Sequence, residues 1–149
     1  MKKILLLHGP NLNLLGRRDS KHYGKCTLKQ IEQLVHELLV AYGMTLIAYQ
    51  SNHEGALIDK IQLESDGAVG IIINPGAFTH YSYAIHDALV DTRLPVVEVH
   101  LSDINHRESW RQKSVIAPAC ITQISGHQEK SYVLAISRLI DHLNLGEPV

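Results

Sequence analysis

Apolar runs alternate with amphipathic stretches along most of this sequence. Runs rich in aliphatic and β-branched residues predict five strands, at residues 3–7, 45–50, 70–74, 95–99 and 119–125. Several of these runs, such as VGIII and PVVEV, are continuous rather than alternating. Continuous apolar runs are typical of parallel strands that are buried on both faces.

Between the strands, apolar residues recur at a spacing of three or four, which predicts amphipathic helices over residues 27–41, 55–65, 81–91 and 129–143. The alternation of strand and helix predicts an α/β fold, a doubly wound parallel sheet with helices on both faces. Five strands in 149 residues indicate the flavodoxin-like order 2-1-3-4-5. With no linker or repeat, we expect a single domain over residues 1–149.

Polar residues concentrate where such a sheet binds ligands, beyond the carboxyl ends of its strands. The four connections there begin HGPNLN, QSNHEG, NPGAFTH and EVHLSDINHR. The first continues as far as Gly24, much further than a bare strand-to-helix connection needs. We therefore expect this connection to be functional.

Composition and charge argue against several classes of partner and ligand. The formal net charge is −1 and no charged block is present, which argues against nucleic acid or a membrane surface. Cys26 and Cys120 lack metal-type spacing, and reduced thiols in a cytoplasmic protein are the simplest interpretation. No short metal, dinucleotide or P-loop motif is found, so no metal or cofactor is expected. The N-terminal apolar run breaks too early for a signal peptide, and no window approaches membrane-spanning length.

Two of the polar connections carry residues whose chemistry is ambiguous in isolation. Tyrosine is a poor base at neutral pH, but guanidinium groups such as that of Arg18 stabilise the phenolate that Tyr23 would form. Taken alone, these two residues are better interpreted as part of a solvated loop. In the third connection, Asn74 ends a buried strand and Thr79 is a predicted helix cap, and a plain strand-to-helix junction explains them equally well.

The fourth connection holds the clearest chemical pair. Glu98 and His100 point to the same face of a strand, so the carboxylate can orient the imidazole as a proton donor. A histidine bonded to backbone is the alternative. The backbone N–H groups of Leu101 and Ser102 are candidate anion donors. His8, just after the first strand, is a candidate pocket residue.

Arg107 and Arg111 are four residues apart, which would place them on one face of a helix. The alternative for Arg107 is an ion pair with Glu108 or Asp103.

Taken together, these blocks resemble the type II 3-dehydroquinate dehydratases. The matching blocks are GPNLNLLGRR with YG at 23–24, QSNHEG at 50–55, IINPGAFTH at 72–80, EVHLS at 98–102 and R-x(3)-R at 107–111. The resemblance covers nearly the whole chain. It implies a flavodoxin-like fold and a metal-free, cofactor-free dehydration of 3-dehydroquinate to 3-dehydroshikimate, in the shikimate pathway or in quinate catabolism. It also implies a cytoplasmic homo-oligomer, a dodecamer built from trimers.

The resemblance also implies a role for each matching residue. Tyr23 would be the base, Arg18 would hold it as phenolate, and Asn11 would stabilise an enolate intermediate through a water. His100, oriented by Glu98, would protonate the departing hydroxyl. The substrate would be held by Asn74 and the amides of Leu101 and Ser102 at its carboxylate, and by His80, Arg111 and a neighbouring subunit's Asp87 at its hydroxyls. Residues 16–25 would form a lid that carries the base, organised by Arg107, with Gly16 and Gly24 as hinges.

The sequence departs from the family pattern at a few positions. His8 replaces an asparagine, Asp19 and Ser20 replace glutamate and proline, His86 replaces an arginine, and Asn105 replaces a histidine. These departures leave open a divergent paralogue that binds a small polyhydroxy carboxylic acid without catalysis or with altered specificity, and an oligomeric scaffold is a third reading. The presence of both a base and an acid favours the lyase, because a binding protein needs neither.

Overall fold

A five-stranded parallel sheet forms the centre of the protein. The structure is a computed structural model that describes residues 1–148. The strands are β1 (Lys2–His8), β2 (Met44–Gln50), β3 (Ala68–Asn74), β4 (Val96–Val99) and β5 (Thr122–Ile124). They are all parallel and lie in the order β2-β1-β3-β4-β5, so the predicted sheet order and fold class are confirmed. Strand β5 is shorter than predicted, because residues Ala117–Ala119 form a 3₁₀ turn around Pro118.

Four long helices and one short helix accompany the sheet. They are α1 (Ser20–Tyr23), α2 (Leu28–Val40), α3 (Glu54–Glu64), α4 (Tyr83–Thr92) and α5 (Lys130–Leu143). Helix α2 begins with the predicted Thr27 cap, whose Oγ1 accepts a hydrogen bond from the Gln30 N–H at 3.2 Å. The Thr27 N–H in turn donates to Gln30 Oε1 at 2.9 Å, which completes a capping box. None of the helices within residues 1–148 is long and apolar enough to cross a bilayer.

The two faces of the sheet bury separate apolar layers. One layer packs under α2 and α5 and includes Ile4, Leu6 and Ile72, and the other, with Leu5 and Ile73, packs under α3 and α4. Because side chains alternate along a strand, the strand ends present polar groups to both faces. Asn74 therefore lies on the same side as Ile72, and Glu98 lies on the opposite side.

The connection from β3 to α4 differs from its prediction. Residues Gly76–His80 form a 3₁₀ turn, and α4 begins after Ser82, whose Oγ accepts a hydrogen bond from the Ile85 N–H at 3.1 Å. Ser82 is thus the cap of α4, and the prediction that Thr79 caps this helix is wrong. Thr79 is fully buried and bonds to a carboxylate instead.

Candidate active site

One cavity at the carboxyl edge of the sheet is lined by most of the predicted site residues. Those lining it are Asn11, Arg18, Tyr23, Asn74, His80, His100, Leu101, Ser102, Arg107 and Arg111. Glu98 lies directly behind His100. Asp87 is exposed on α4 and does not line the cavity of its own chain.

The cavity draws residues from both faces of the sheet and depends on two loops that interlock. The Gly9 N–H donates to the Asn74 carbonyl at 2.7 Å, so the loops after β1 and β3 touch. A Cβ atom on Gly9 would lie 2.1 Å from the Pro75 carbonyl oxygen, a distance no side chain tolerates. Glycine at this position is what lets Asn11 and Asn74 line the same cavity.

The Glu98 carboxylate orients the His100 ring. Their atoms Oε2 and Nε2 are 2.5 Å apart, and the two residues are 0 % and 5 % exposed. Because an ionised carboxylate only accepts hydrogen bonds, Nε2 is the donor, and Nδ1 is the ring nitrogen left for a ligand.

Three further donors surround Glu98, and sequence reasoning missed all of them. Thr79 Oγ1 donates at 2.8 Å, Ser114 Oγ at 2.7 Å and Gln123 Nε2 at 2.7 Å. Burial opposes ionisation of this carboxyl, but the hydrogen bonds from His100, Ser114 and Gln123 outweigh it and hold the pKa of Glu98 below its usual value. Glu98 is therefore a fixed anion behind the imidazole.

Two guanidinium groups face the Tyr23 ring at the end of α1. The Arg18 guanidinium carbon lies 3.7 Å from the ring centroid, and that of Arg107 lies 5.7 Å away. Asp19 precedes α1 as its N-cap, with Oδ1 accepting from the Lys21 N–H at 3.0 Å, and Gly24 follows the helix with a φ of 72°. The substituted Asp19 thus caps the short helix that places Tyr23 in the cavity.

Asn74 offers one amide hydrogen to the cavity. Its Oδ1 accepts from the Gly76 N–H at 3.1 Å, and its Nδ2 donates to Tyr132 Oη at 3.2 Å. Tyr132 is fully buried, and burial raises the pKa of its phenol, so it serves as a neutral acceptor. Tyr132 lies in the amphipathic helix predicted over residues 129–143, and that periodicity gave no indication of its contact with Asn74.

The turn after β4 supplies backbone donors beside Asn74. Leu101 and Ser102 are 2 % and 7 % exposed, and neither of their N–H groups donates to an acceptor within residues 1–148. Arg107 Nη1 donates to Ser102 Oγ at 3.3 Å. Unpartnered amides beside a guanidinium and an asparagine N–H suit a carboxylate group.

The far wall of the cavity carries His80 and Arg111. The pKa of His80 is lowered by burial, and its Nδ1 lies 2.7 Å from the Lys113 carbonyl, so a neutral ring holds Nδ1–H toward that oxygen. Arg111 Nε donates to Glu108 Oε1 at 2.8 Å, and the guanidinium stacks 4.0 Å above Trp110.

The prediction that Arg107 and Arg111 share one face of a helix is wrong. Residues Ile104–His106 and Ser109–Arg111 form two separate 3₁₀ turns instead. Both arginines line the cavity nonetheless. The alternative interpretation of Arg107, an ion pair with Glu108, is also observed, since Arg107 Nε lies 3.5 Å from Glu108 Oε2.

The expectation that His8 lines the pocket is wrong. His8 is the last residue of β1 and is 0 % exposed, with Nε2 lying 3.2 Å from Glu32 Oε1 on α2. Helix α2 covers this end of the strand, so the imidazole faces the core instead of the cavity.

Acid–base chemistry is what these side chains can perform. No cluster of three or more His, Cys, Asp or Glu residues able to hold a metal ion is present in the part of the chain that the structure describes. Burial and the nearby Glu98 charge raise the pKa of the Cys120 thiol to about 12, so it is protonated at neutral pH. The reactive candidates are therefore the Tyr23 phenol and the His100 imidazole.

Comparison with known proteins supplies the family. The family model described as dehydroquinase class II matches residues 2–140. A 3-dehydroquinate dehydratase of Roseiflexus castenholzii is 53% identical over 138 residues, 93% of this chain and 88% of the relative. One of Bacillus anthracis is 51% identical over 143 residues, 96% of this chain and 98% of the relative.

Solved structures agree with the sequence relatives. The crystal structure of the type II dehydroquinase from Butyrivibrio crossotus has a TM-score of 0.89 at 46% identity and covers 93% of this chain and 97% of its own. A 3-dehydroquinate dehydratase-like protein from Bifidobacterium longum has a TM-score of 0.70 at 25% identity, with 97% and 99% covered. With a family model spanning most of the residues and relatives near half identity, this chain belongs to the class II dehydroquinase family.

Proposed function

We propose that this protein dehydrates 3-dehydroquinate to 3-dehydroshikimate through an enolate intermediate. One observation carries the proposal: Tyr23, which lies against the Arg18 guanidinium, and His100, which is held by Glu98, line the same cavity. The sequence relatives near half identity are named 3-dehydroquinate dehydratases, which supports the same reaction.

Tyr23, as phenolate, removes a proton from the carbon next to the ring ketone. The electron pair of that C–H bond moves onto the ketone oxygen and forms the enolate. The guanidinium groups of Arg18 and Arg107 place positive charge beside Tyr23, with their central carbons 3.7 and 5.7 Å from the ring centroid. Asn11 stabilises the enolate oxygen through a water, as its place on the cavity allows.

His100 acts in the second step. The enolate reforms the ketone, the carbon–oxygen bond of the departing hydroxyl breaks, and the imidazole donates a proton so that water leaves. The product is a conjugated enone. Because Glu98 stays ionised behind the ring, it holds Nε2–H toward its carboxylate and leaves Nδ1 to donate this proton into the cavity. Proton exchange with solvent returns Tyr23 and His100 to their starting forms.

The remaining residues bind the substrate. Asn74 and the amides of Leu101 and Ser102 hold the carboxylate, and this assignment is supported by the unpartnered donors at that corner. His80 and Arg111 bind ring hydroxyls on the opposite wall. Residues 16–25 act as the lid, with Arg107 linking it to the substrate site through Ser102.

We propose that Asp87 completes the cavity of a neighbouring subunit in a trimer, and that trimers assemble into a dodecamer. Asp87 is exposed on α4 and does not line its own cavity, and its helix also exposes Tyr83 and Val90 at 61 % and 51 %. Exposed apolar side chains on one helix suit a subunit contact.

The proposed setting is the cytoplasm, in the shikimate pathway that leads to aromatic amino acids. Both cysteines are free thiols, as expected for a reducing compartment. The proposed reaction uses neither a metal nor an organic cofactor, since proton transfers alone balance it.

The test is a product assay on the purified protein. Adding 3-dehydroquinate should produce a rise in ultraviolet absorbance from the conjugated enone, and the Tyr23→Phe variant should give none while keeping the same circular dichroism spectrum. A folded wild-type protein that gives no rise would refute the proposed function.

A further inference from the structure

Asn52, on the loop after β2, holds the loop that carries Asn11. Its Oδ1 accepts two hydrogen bonds, from the Asn11 backbone N–H at 3.0 Å and from Gln50 Nε2 at 3.1 Å. Gln50 Nε2 also donates to the Gly9 carbonyl at 3.1 Å. One side-chain oxygen thus ties the connections after β1 and β2 together.

Asn11 needs such support because its backbone is unusual. It has φ 68° and ψ −4°, in the left-handed region that residues other than glycine rarely adopt. Its own side chain makes no capping hydrogen bond to the following turn, Leu12–Leu14. The bond from its N–H to Asn52 therefore fixes the orientation of the peptide unit that precedes it.

We propose that Asn52 is a positioning residue for the dehydration. It does not line the cavity, and it acts by holding Asn11 in the left-handed conformation in which Asn11 lines it. The inference rests on the proposed function, because Asn11 has its role only if an enolate forms.

The proposal requires a hydrogen-bond acceptor at position 52, so a side chain of the same size without one should not replace Asn52. Leucine keeps the volume but lacks the oxygen, so the Asn11 N–H loses its acceptor while Gln50 Nε2 keeps its bond to the Gly9 carbonyl. Aspartate keeps an oxygen that accepts from Asn11 and Gln50. Asn13, two residues beyond Asn11, gives a matched control, because the only side-chain hydrogen bond it makes within residues 1–148 is the one that its Oδ1 accepts from Gln50 Nε2 at 3.5 Å.

Four variants test the inference: Asn52→Leu, Asn52→Asp, Asn13→Leu and Asn52→Leu combined with Asn11→Ala. We expect Asn52→Leu to lower kcat about fivefold to tenfold, the factor that one ordinary hydrogen bond corresponds to. KM for 3-dehydroquinate should change less than about twofold, because the carboxylate corner is untouched. Asn52→Asp should recover most of the lost kcat, and Asn13→Leu should match the wild type.

The double variant separates positioning from a general structural role. If Asn52 acts through Asn11, Asn52→Leu should cost nothing further in the Asn11→Ala background. Equal losses in both backgrounds, an unchanged kcat in Asn52→Leu, or an Asn52→Asp variant as slow as Asn52→Leu would each overturn the inference. Urea denaturation checks folding, and Asn52→Ala replaces Asn52→Leu if the latter fails to fold. An inactive wild-type protein would refute the proposed function, and this result is distinguishable from every outcome that overturns the inference about Asn52.

Discussion

Replacing Thr79 with valine should destabilise the protein through the buried charge of Glu98. Thr79 is 0 % exposed, and its hydroxyl donates to Glu98 Oε2 at 2.8 Å. A hydrogen bond to a charged group contributes about 1.5–3 kcal/mol. Ser114, Gln123 and His100 still hold the carboxylate, so we expect a loss near the middle of that range, about 2 kcal/mol.

The loss should depend on pH. The pKa of Glu98 is held below its usual value in the folded protein, so its ionised hydrogen bonds stabilise the fold above the unfolded pKa of about 4.3 and stop doing so as the pH falls through the folded pKa. The difference between wild type and Thr79→Val should therefore be largest near neutral pH and should shrink on acidification below about pH 4.

The assay is urea denaturation followed by circular dichroism, at neutral and at acidic pH and at one fixed protein concentration. Thr45→Val is the matched control, because the Thr45 hydroxyl makes only an exposed 3.3 Å bond to the Lys2 carbonyl. The control should change the free energy of unfolding by less than about 0.5 kcal/mol. A Thr79→Val variant as stable as the control, or one whose deficit does not vary with pH, would refute the reasoning.

Three further outcomes are expected from the same geometry. Tyr23→Phe and His100→Ala should each lower kcat at least about 10²-fold, and near-normal turnover in either would remove that residue from its role. Tyr23→Phe should leave the thermal midpoint unchanged, whereas His100→Ala should lower it, because it also removes a buried donor to Glu98. Tyr132→Phe deletes the acceptor of the Asn74 amide, so KM for 3-dehydroquinate should rise about fivefold in initial-rate assays while kcat falls less; an unchanged KM would mean that Asn74 needs no such support. Dialysis against EDTA should leave activity unchanged, whereas loss that Zn²⁺ restores would show that a metal takes part.

Hydrophobic periodicity predicted the sheet, and the spacing of neighbouring residues predicted the part of the site at the end of β4. Glu98 and His100 are two residues apart, so strand alternation alone predicted their contact. Thr79, Ser114 and Gln123 approach Glu98 from 16 to 25 residues away in sequence, and only the folded turns bring them together. The one available signal was Gln123, a polar residue in an apolar run that pairs with Glu98 in the sheet register.

His8 and Tyr132 show what the sequence pattern lacked, because His8 was misplaced and Tyr132 was placed correctly but without its hydrogen bond. His8 ends a strand at the correct edge of the sheet, but α2 lies over it, and no strand pattern reveals which neighbour covers a strand end. Tyr132 fits the apolar stripe of α5 by spacing, and its hydroxyl gains a partner only because Asn74 lies across the sheet from that helix. Tertiary contacts decided both cases.

Solvent-exchange measurements on two variants test the central claim most directly: a phenolate removes the carbon-bound proton and an imidazole completes the elimination. Incubated with 3-dehydroquinate in D₂O and followed by NMR, His100→Ala should incorporate deuterium at the carbon next to the ring ketone while forming almost no product, because Tyr23 still forms the enolate. Tyr23→Phe should incorporate deuterium no faster than buffer alone. Exchange in Tyr23→Phe at the rate seen in His100→Ala would contradict the claim that Tyr23 is the base.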